Sequence, residues 1–250
     1  AEGVVPATIA IVKGEVHIGL DDLSFLENPE SRLQLRKISL REIPFAMAQG
    51  WSGGTTVSAT MWLALQAGIK VFATGGIGGV HRNWQSSLDV STDLIALARI
   101  PVAVVCAGCK AILDIPATLE VLETYAVPVI GWQTDDFPAF YSRSSGEKVL
   151  RTDSIGELAE ILKYTLEIGE TGLLIVNPIP EESEIKHETI EPVIANAIQE
   201  AESRGIKGKE TTPYLLSTLA KMTQGASIVA NLALLKNNVR LGAMIAREIK

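Results

Sequence analysis

The sequence predicts an α/β protein: a mainly parallel sheet flanked by helices, with a β-hairpin at the N-terminus and a helical C-terminal third. Three observations carry that expectation. Four runs of strand length show continuous rather than alternating hydrophobicity, the mark of strands buried on both faces. Segments of helical period separate them, as in right-handed β-α-β crossovers. Beyond Pro180 only helical patterning remains.

In chain order, Ala7–Val12 and Val16–Leu20 flank Lys13-Gly14, which predicts the hairpin. Thr56–Ala67 has helical spacing and stops at Gly68, a residue suited to the left-handed C-terminal position. The first apolar strand is Lys70–Thr74 and the second Val102–Cys106. A helix is expected over Lys110–Thr124, with Ile112, Leu113, Leu119 and Leu122 on one side. The strand Pro128–Gly131 follows, then a helix over Ile155–Ile168 presenting Leu158, Ile161, Leu162 and Leu166, and the strand Leu173–Asn177. Glu188–Ser203, Tyr214–Thr223 and Ile228–Ile249 read as helices forming a cap or an oligomerisation element. No linker composition and no internal repeat interrupts the 250 residues, so a single domain over 1–250 is expected.

Composition narrows the function classes. A net charge of −7 without a basic run argues against a nucleic-acid polymer as partner. No stretch reaches the ~18 apolar residues of a membrane span. The two Cys, three positions apart, cannot make a disulfide framework, and a cytoplasmic location is expected. Ala1–Val5 matches neither a signal nor a transit peptide, and the chain opens on Ala rather than Met.

In open parallel sheets ligands sit beyond the carboxyl ends of the strands, so the loops there are the first candidates for chemistry. Gly75-Gly76-Ile77-Gly78-Gly79-Val80-His81-Arg82 follows the first apolar strand. Its glycines would let backbone N–H groups approach an anion, or would make a tight turn packed on a neighbour; the spacing is not that of a nucleotide-binding P-loop. Gly53-Gly54-Thr55-Thr56 reads as a helix opening, suited to a phosphate or to ordinary capping by Thr. Asp89 and Asp93 bracket Ser91 and Thr92; the two carboxylates would serve a hard divalent cation or cap a helix. Lys110 stands after the second apolar strand at a predicted helix start, where the helix dipole would disfavour its cation and leave an amine able to form a Schiff base. Lys37 is a second cation for a phosphate or for lowering the Lys110 pKa further. Cys106 and Cys109 have redox-motif spacing but read as buried core thiols. His81, Asn177 and Asn231 are further polar candidates at the strand ends and on the last helix.

Several segments together resemble the pseudouridine-5′-phosphate glycosidase family, also called indigoidine synthase A-like. They are Val5–Ile11, Gly54–Thr60, Ile69–His81, Asp89–Leu94, Val105–Asp114, Asn177–Glu181 and Gly208–Tyr214, in order along essentially the whole chain. The resemblance implies a Mn2+-dependent homotrimeric enzyme that reversibly cleaves the C–C glycosidic bond of pseudouridine 5′-phosphate to uracil and ribose 5-phosphate, a glycosidase/lyase. It implies Lys110 as the nucleophile, Asp89 as the metal residue acting largely through waters, and Lys37, Val57, Ser91, Thr92 and Asp93 as substrate contacts. The family carries a Glu-Ser-Thr motif upstream of the Val5-Pro6-Ala7 segment, its Glu the proton donor; no residue here is assigned that role, and an N-terminal segment is expected to be missing. Trp51-Ser52 and the Arg82–Ser87 stretch depart from the family pattern. Two other readings stay open: a Schiff-base lyase or aldolase on another phosphosugar, and a non-catalytic truncated remnant.

Overall fold

The computed structural model describes residues 3–20, 34–206 and 208–249. Ala1 and Glu2, the start of the Ala1–Val5 stretch, lie outside the described residues. The N-terminal hairpin is present as Ile9–Val12 (β1) paired antiparallel with Glu15–Ile18 (β2). Arg36–Ile38 (β3) lies parallel to Gly53–Thr55 (β4), and β4 is antiparallel to β1, so these strands form a four-stranded sheet in the order β2-β1-β4-β3. Helix Ile43–Gln49 (α1) connects β3 to β4 and ends on Gly50 in the left-handed conformation. Gly53, Gly54 and Thr55 are thus a strand, and the following helix, Val57–Gln66 (α2), begins only after Thr56. A three-residue strand without an apolar side chain has no period to read, which is why the sequence placed these residues at the helix instead.

The large sheet matches its expectation. Val71–Ala73 (β5) leads to a short strand, Val80–His81 (β6), and on through Trp84–Ser87 (α3) and Thr92–Leu97 (α4) to Ala103–Cys106 (β7). Leu113–Asp114 (β8) pairs antiparallel with β6 and runs into Ile115–Thr124 (α5). Val129–Trp132 (β9), Leu150–Thr152 (β10), Ile155–Ile168 (α6) and Leu173–Val176 (β11) follow. The five-stranded parallel sheet has the order β10-β9-β11-β7-β5, with β11 inserted between β7 and β9. The C-terminal third is helical, as expected: His187–Ser203 (α7), Thr211–Met222 (α8) and Ala226–Glu248 (α9). Among the described residues no helix is long and apolar enough to cross a membrane.

The unbroken apolar runs follow from burial on both faces of this sheet. Ala103 and Val105 of β7, with Leu173 and Ile175 of β11, face Leu158 and Leu162 of α6 and Leu241 and Ile245 of α9. Val104 and Cys106, with Leu174 and Val176, point the other way into the larger core with Met61, Leu94, Leu97, Ile190 and Ile194. Every one of these side chains is shielded from solvent, and each large one contributes roughly 1.5–3 kcal/mol relative to an exposed position. The carboxyl ends of β5 and β7 are neighbours, so the turns leaving them face one another.

Candidate active site

The glycine turn after β5 is built around an anion that belongs to the protein itself. Asp93 stands in the first turn of α4, whose N-cap Ser91 accepts the Asp93 N–H through its hydroxyl. The Asp93 carboxylate is almost fully buried and accepts two backbone N–H groups, from Gly78 at 2.8 Å and from Ser58 at 2.9 Å. Ser58 lies in the first turn of α2, so Asp93 supplies across space the cap that the Thr56 hydroxyl does not make. Gly78 and Gly79 are glycines because of this crowding, and neither has a positive φ. A Cβ on Gly78 would lie 2.2 Å from Ser91 Oγ, and one on Gly79 would lie 2.4 Å from Thr118 Oγ1.

Lys110 leaves β7 on the facing turn. Its N–H donates to Ile77 O at 3.1 Å, and its carbonyl accepts from Leu113 N at 3.0 Å. Helix α5 begins five residues later, at Ile115, with the Asp114 side chain as its cap. Lys110 therefore does not head a helix, and the predicted dipole effect has no geometry to act through; the helical spacing of Ile112 and Leu113 belongs to the turn and β8. The amine is nonetheless held below the usual lysine range. Burial is the main cause, the Lys37 charge adds to it, and the Asp93 carboxylate opposes both.

These two turns and β3 surround a cleft of about 320 Å³ whose lining includes Lys37, Ser39, Thr56, Asp89, Ser91, Thr92, Asp93 and Lys110, together with Arg41, Glu42, His81 and Thr212. The structure thus brings together Lys37, Asp89, Ser91, Thr92, Asp93 and Lys110. Val57 is placed otherwise: its side chain is buried in the core at the start of α2. The hydroxyls of Thr56, Ser58 and Thr92 cluster at that helix start, with contacts of 3.0 and 3.4 Å. The two aspartates do separate work. Asp89 lies outside α4, half-exposed, with Oδ2 3.9 Å from His81 Nε2. Burial depresses the His81 pKa, and the Lys37 and Lys110 charges add to this against Asp89. Cys106 and Cys109 are fully buried free thiols, each pushed up to about 12 by desolvation, which fits core residues. Asn177 turns its amide away from the cleft, donating to Asn238 Oδ1 at 3.1 Å, and Asn231 is exposed beside Gly75.

A family profile described as indigoidine synthase A like protein matches residues 1–248. The chain belongs to that family. It is 51% identical over 249 residues to the pseudouridine-5′-phosphate glycosidase of Caldanaerobacter subterraneus subsp. tengcongensis, covering 99% of this chain and 81% of that protein. The pseudouridine-5′-phosphate glycosidase of Clostridium botulinum is 50% identical over 252 residues, with 99% and 81% covered. Among solved structures, an indigoidine synthase A-like protein of Thermotoga maritima is similar at TM-score 0.90 and 41% identity, with 98% of this chain and 81% of that chain covered. The prealnumycin C-glycosynthase AlnA, solved in complex with ribulose 5-phosphate, is similar at TM-score 0.91 and 37% identity, with 99% and 82% covered.

Within this indigoidine synthase A-like fold, some contributors escaped sequence reasoning. Ser39-Leu40-Arg41-Glu42 is a capping box: the Glu42 carboxylate accepts from the Ser39 N–H at 2.9 Å and from its hydroxyl at 2.6 Å, fixing the cleft wall beside Lys37. That Ser-x-x-Glu spacing was legible. Thr118 gave no such signal. Its hydroxyl accepts the Val80 N–H at 3.0 Å and donates to Asp114 O at 2.6 Å, joining the glycine turn to α5.

Proposed function

We propose that the chain cleaves the C–C glycosidic bond of pseudouridine 5′-phosphate, reversibly, to uracil and ribose 5-phosphate through an imine on Lys110. The observation that carries this reading is a desolvated lysine amine inside a polar cleft, between a second lysine and a buried aspartate, in a chain half identical to proteins of that name. AlnA's bound ribulose 5-phosphate supports a phosphopentose as the ligand class.

Carbon–carbon cleavage cannot rely on protonating a leaving heteroatom, so a nitrogen electron pair has to drive it. The Lys110 Nζ bonds to C1′ as the bond from C1′ to the ring oxygen breaks and that oxygen takes a proton. The nitrogen lone pair then forms the C=N bond while the C1′–C5 bond breaks; its electron pair goes to uracil C5, which takes a proton. Water hydrolyses the iminium, releasing ribose 5-phosphate and the free amine. Desolvation keeps a fraction of Lys110 neutral for the first step. Lys37, Ser39 and the Thr56 hydroxyl hold the phosphate at the start of α2, where the helix N-terminus favours an anion. Ser91 and Thr92 face the sugar, and Asp93 fixes the two backbones that carry the pocket.

We assign Mn2+ to Asp89. Asp89 lines the cleft with its carboxylate half-exposed, and a hard divalent cation takes carboxylate and water oxygens as ligands. Such a cation would supply charge stabilisation to the developing oxyanions of the reaction. The assembly we propose is a homotrimer. Ile228, Leu232, Leu235 and Val239 form an exposed apolar stripe along α9, which supports burial against another copy. A phosphorylated sugar substrate and two unpaired thiols support a cytoplasmic location.

Borohydride reduction in the presence of ribose 5-phosphate and Mn2+ should leave a covalent adduct on Lys110, read by peptide mass. An adduct on another lysine, or none, would sink the assignment. Uracil release from pseudouridine 5′-phosphate, followed by its ultraviolet absorbance, separates this reaction from an aldolase acting on a different phosphosugar. Sedimentation equilibrium reports the trimer.

A further inference from the structure

Three hydrogen bonds define the backbone from which the Lys110 side chain departs. Two are the backbone bonds to Ile77 and Leu113. The third comes from outside the strands: Arg82 Nη2 donates to the carbonyl of Ala111 at 3.2 Å. Ala111 is the second residue of the turn closed by the Lys110–Leu113 bond, and it is buried. A carbonyl in a buried turn is costly to leave without a donor, so this contact matters to the shape of the turn.

Arg82 is itself held on both forks. Its Nη1 and Nη2 donate to the two carboxylate oxygens of Glu191 on α7, the Nη2 contact at 2.9 Å. A planar guanidinium is suited to this double task, because one edge can engage a carboxylate while a remaining N–H reaches a carbonyl. The pairing is firm enough that Arg82 keeps the Glu191 carboxyl below its usual range. Arg82 directly follows β6, which pairs with β8 through His81 and Leu113, so the guanidinium and the lysine turn are fixed to the same ladder. Helix α7 is thereby connected through two side-chain contacts to the residue next to the nucleophile.

We propose that Arg82, oriented by Glu191, is a positioning residue that sets the attack geometry of Lys110 through the Ala111 carbonyl. This rests on the Lys110 reading above. Its action is geometric. The charges that set the Lys110 amine are Lys37 and Asp93, whereas the Arg82 charge is neutralised by its own partner.

The test is the single-turnover rate of borohydride-trapped adduct formation with ribose 5-phosphate, in the wild-type chain, Arg82→Ala, Arg82→Lys and Glu191→Gln. Misplacing a reacting group by about 1 Å can cost about 100-fold, so Arg82→Ala should slow trapping about 10- to 100-fold with half-saturation changed less than about threefold. The pH midpoint of trapping should stay where it is. Glu191→Gln, which keeps the shape of the partner, should fall between wild type and Arg82→Ala, and this holds the test open if Arg82→Ala folds poorly. Added guanidinium ion should speed Arg82→Ala and leave wild type unchanged. Trapping by Arg82→Ala at the wild-type rate overturns the proposal. So does a slow rate that guanidinium does not restore and that follows the loss in thermal midpoint, since that pattern assigns Arg82 to holding α7 alone. Absence of any adduct on wild-type Lys110 overturns the imine reading itself, and is distinguishable because it precedes any comparison of variants.

Discussion

Gly78 donates its N–H to Asp93 Oδ2 at 2.8 Å, and a methyl group on Gly78 would stand 2.8 Å from that same oxygen. The hydrogen bond and the missing side chain are one design, because the carboxylate reaches the amide only where no Cβ intervenes. Gly78→Ala should therefore displace Asp93, with Ser91 beside it. Overpacking of this kind costs about 1–3 kcal/mol, to be read in urea unfolding. Adduct formation should fall further than that loss of stability alone would cause, because Asp93 also anchors the start of α2.

Lys37 and Asp93 act on the Lys110 amine with opposite signs. Removing the Lys37 charge with Lys37→Met relieves a like-charge penalty on the ammonium, so the Lys110 pKa rises and the pH midpoint for trapping moves up. Asp93→Asn removes a stabiliser of the ammonium, so the midpoint moves down, with a stability loss of about 1–3 kcal/mol from the disturbed backbone contacts. Opposite displacements in the pH–rate profile are the expected result; displacement in one direction by both variants would contradict the arrangement.

A buried amine whose pKa is lowered on folding opposes folding wherever the unfolded chain would hold the proton. Between the folded and the ordinary lysine values the unfolded state binds more protons, so stability climbs with pH across that window. Lys110→Met should accordingly raise stability at neutral pH by about 0.5–2 kcal/mol, while abolishing adduct formation. The gain should fade once the pH exceeds the ordinary lysine titration. Urea unfolding of both chains at the two pH values checks it.

Asn238 is fully buried on α9 and donates to Thr74 O at 2.8 Å while accepting from Asn177. Asn238→Ala leaves that carbonyl and the Asn177 amide without partners, at a cost of about 1–3 kcal/mol. Because Thr74 opens the glycine turn, hydrogen exchange in residues 75–79 should quicken in the variant even under conditions where the rest of the sheet stays protected.

The sheet was legible because Val102–Cys106 and Leu173–Val176 are apolar on both faces, a pattern that only a doubly covered strand needs. The helices α2, α6 and α9 were legible from their spacing. Strands β3, β4 and β10 were not, since three residues with at most one apolar side chain carry no period and are specified by their pairing partners. Most of the cleft followed from the loops after β5 and β7. The error at Lys110 came from extending the α5 pattern back through Ile112 and Leu113, whose apolar side chains serve the turn and β8. The role of Asp93 was hidden for a related reason: its partners, Ser58 and Gly78, are backbone groups, and a backbone amide leaves no trace in residue identity.

The clamp between Asn238 and Thr74 joins residues 164 positions apart. During synthesis the amide that fixes the glycine turn follows it by that whole length of chain. A nascent chain can fold its parallel strands and still present an unfinished pocket, so competence for chemistry would wait for α9 to be made and docked instead of growing with length.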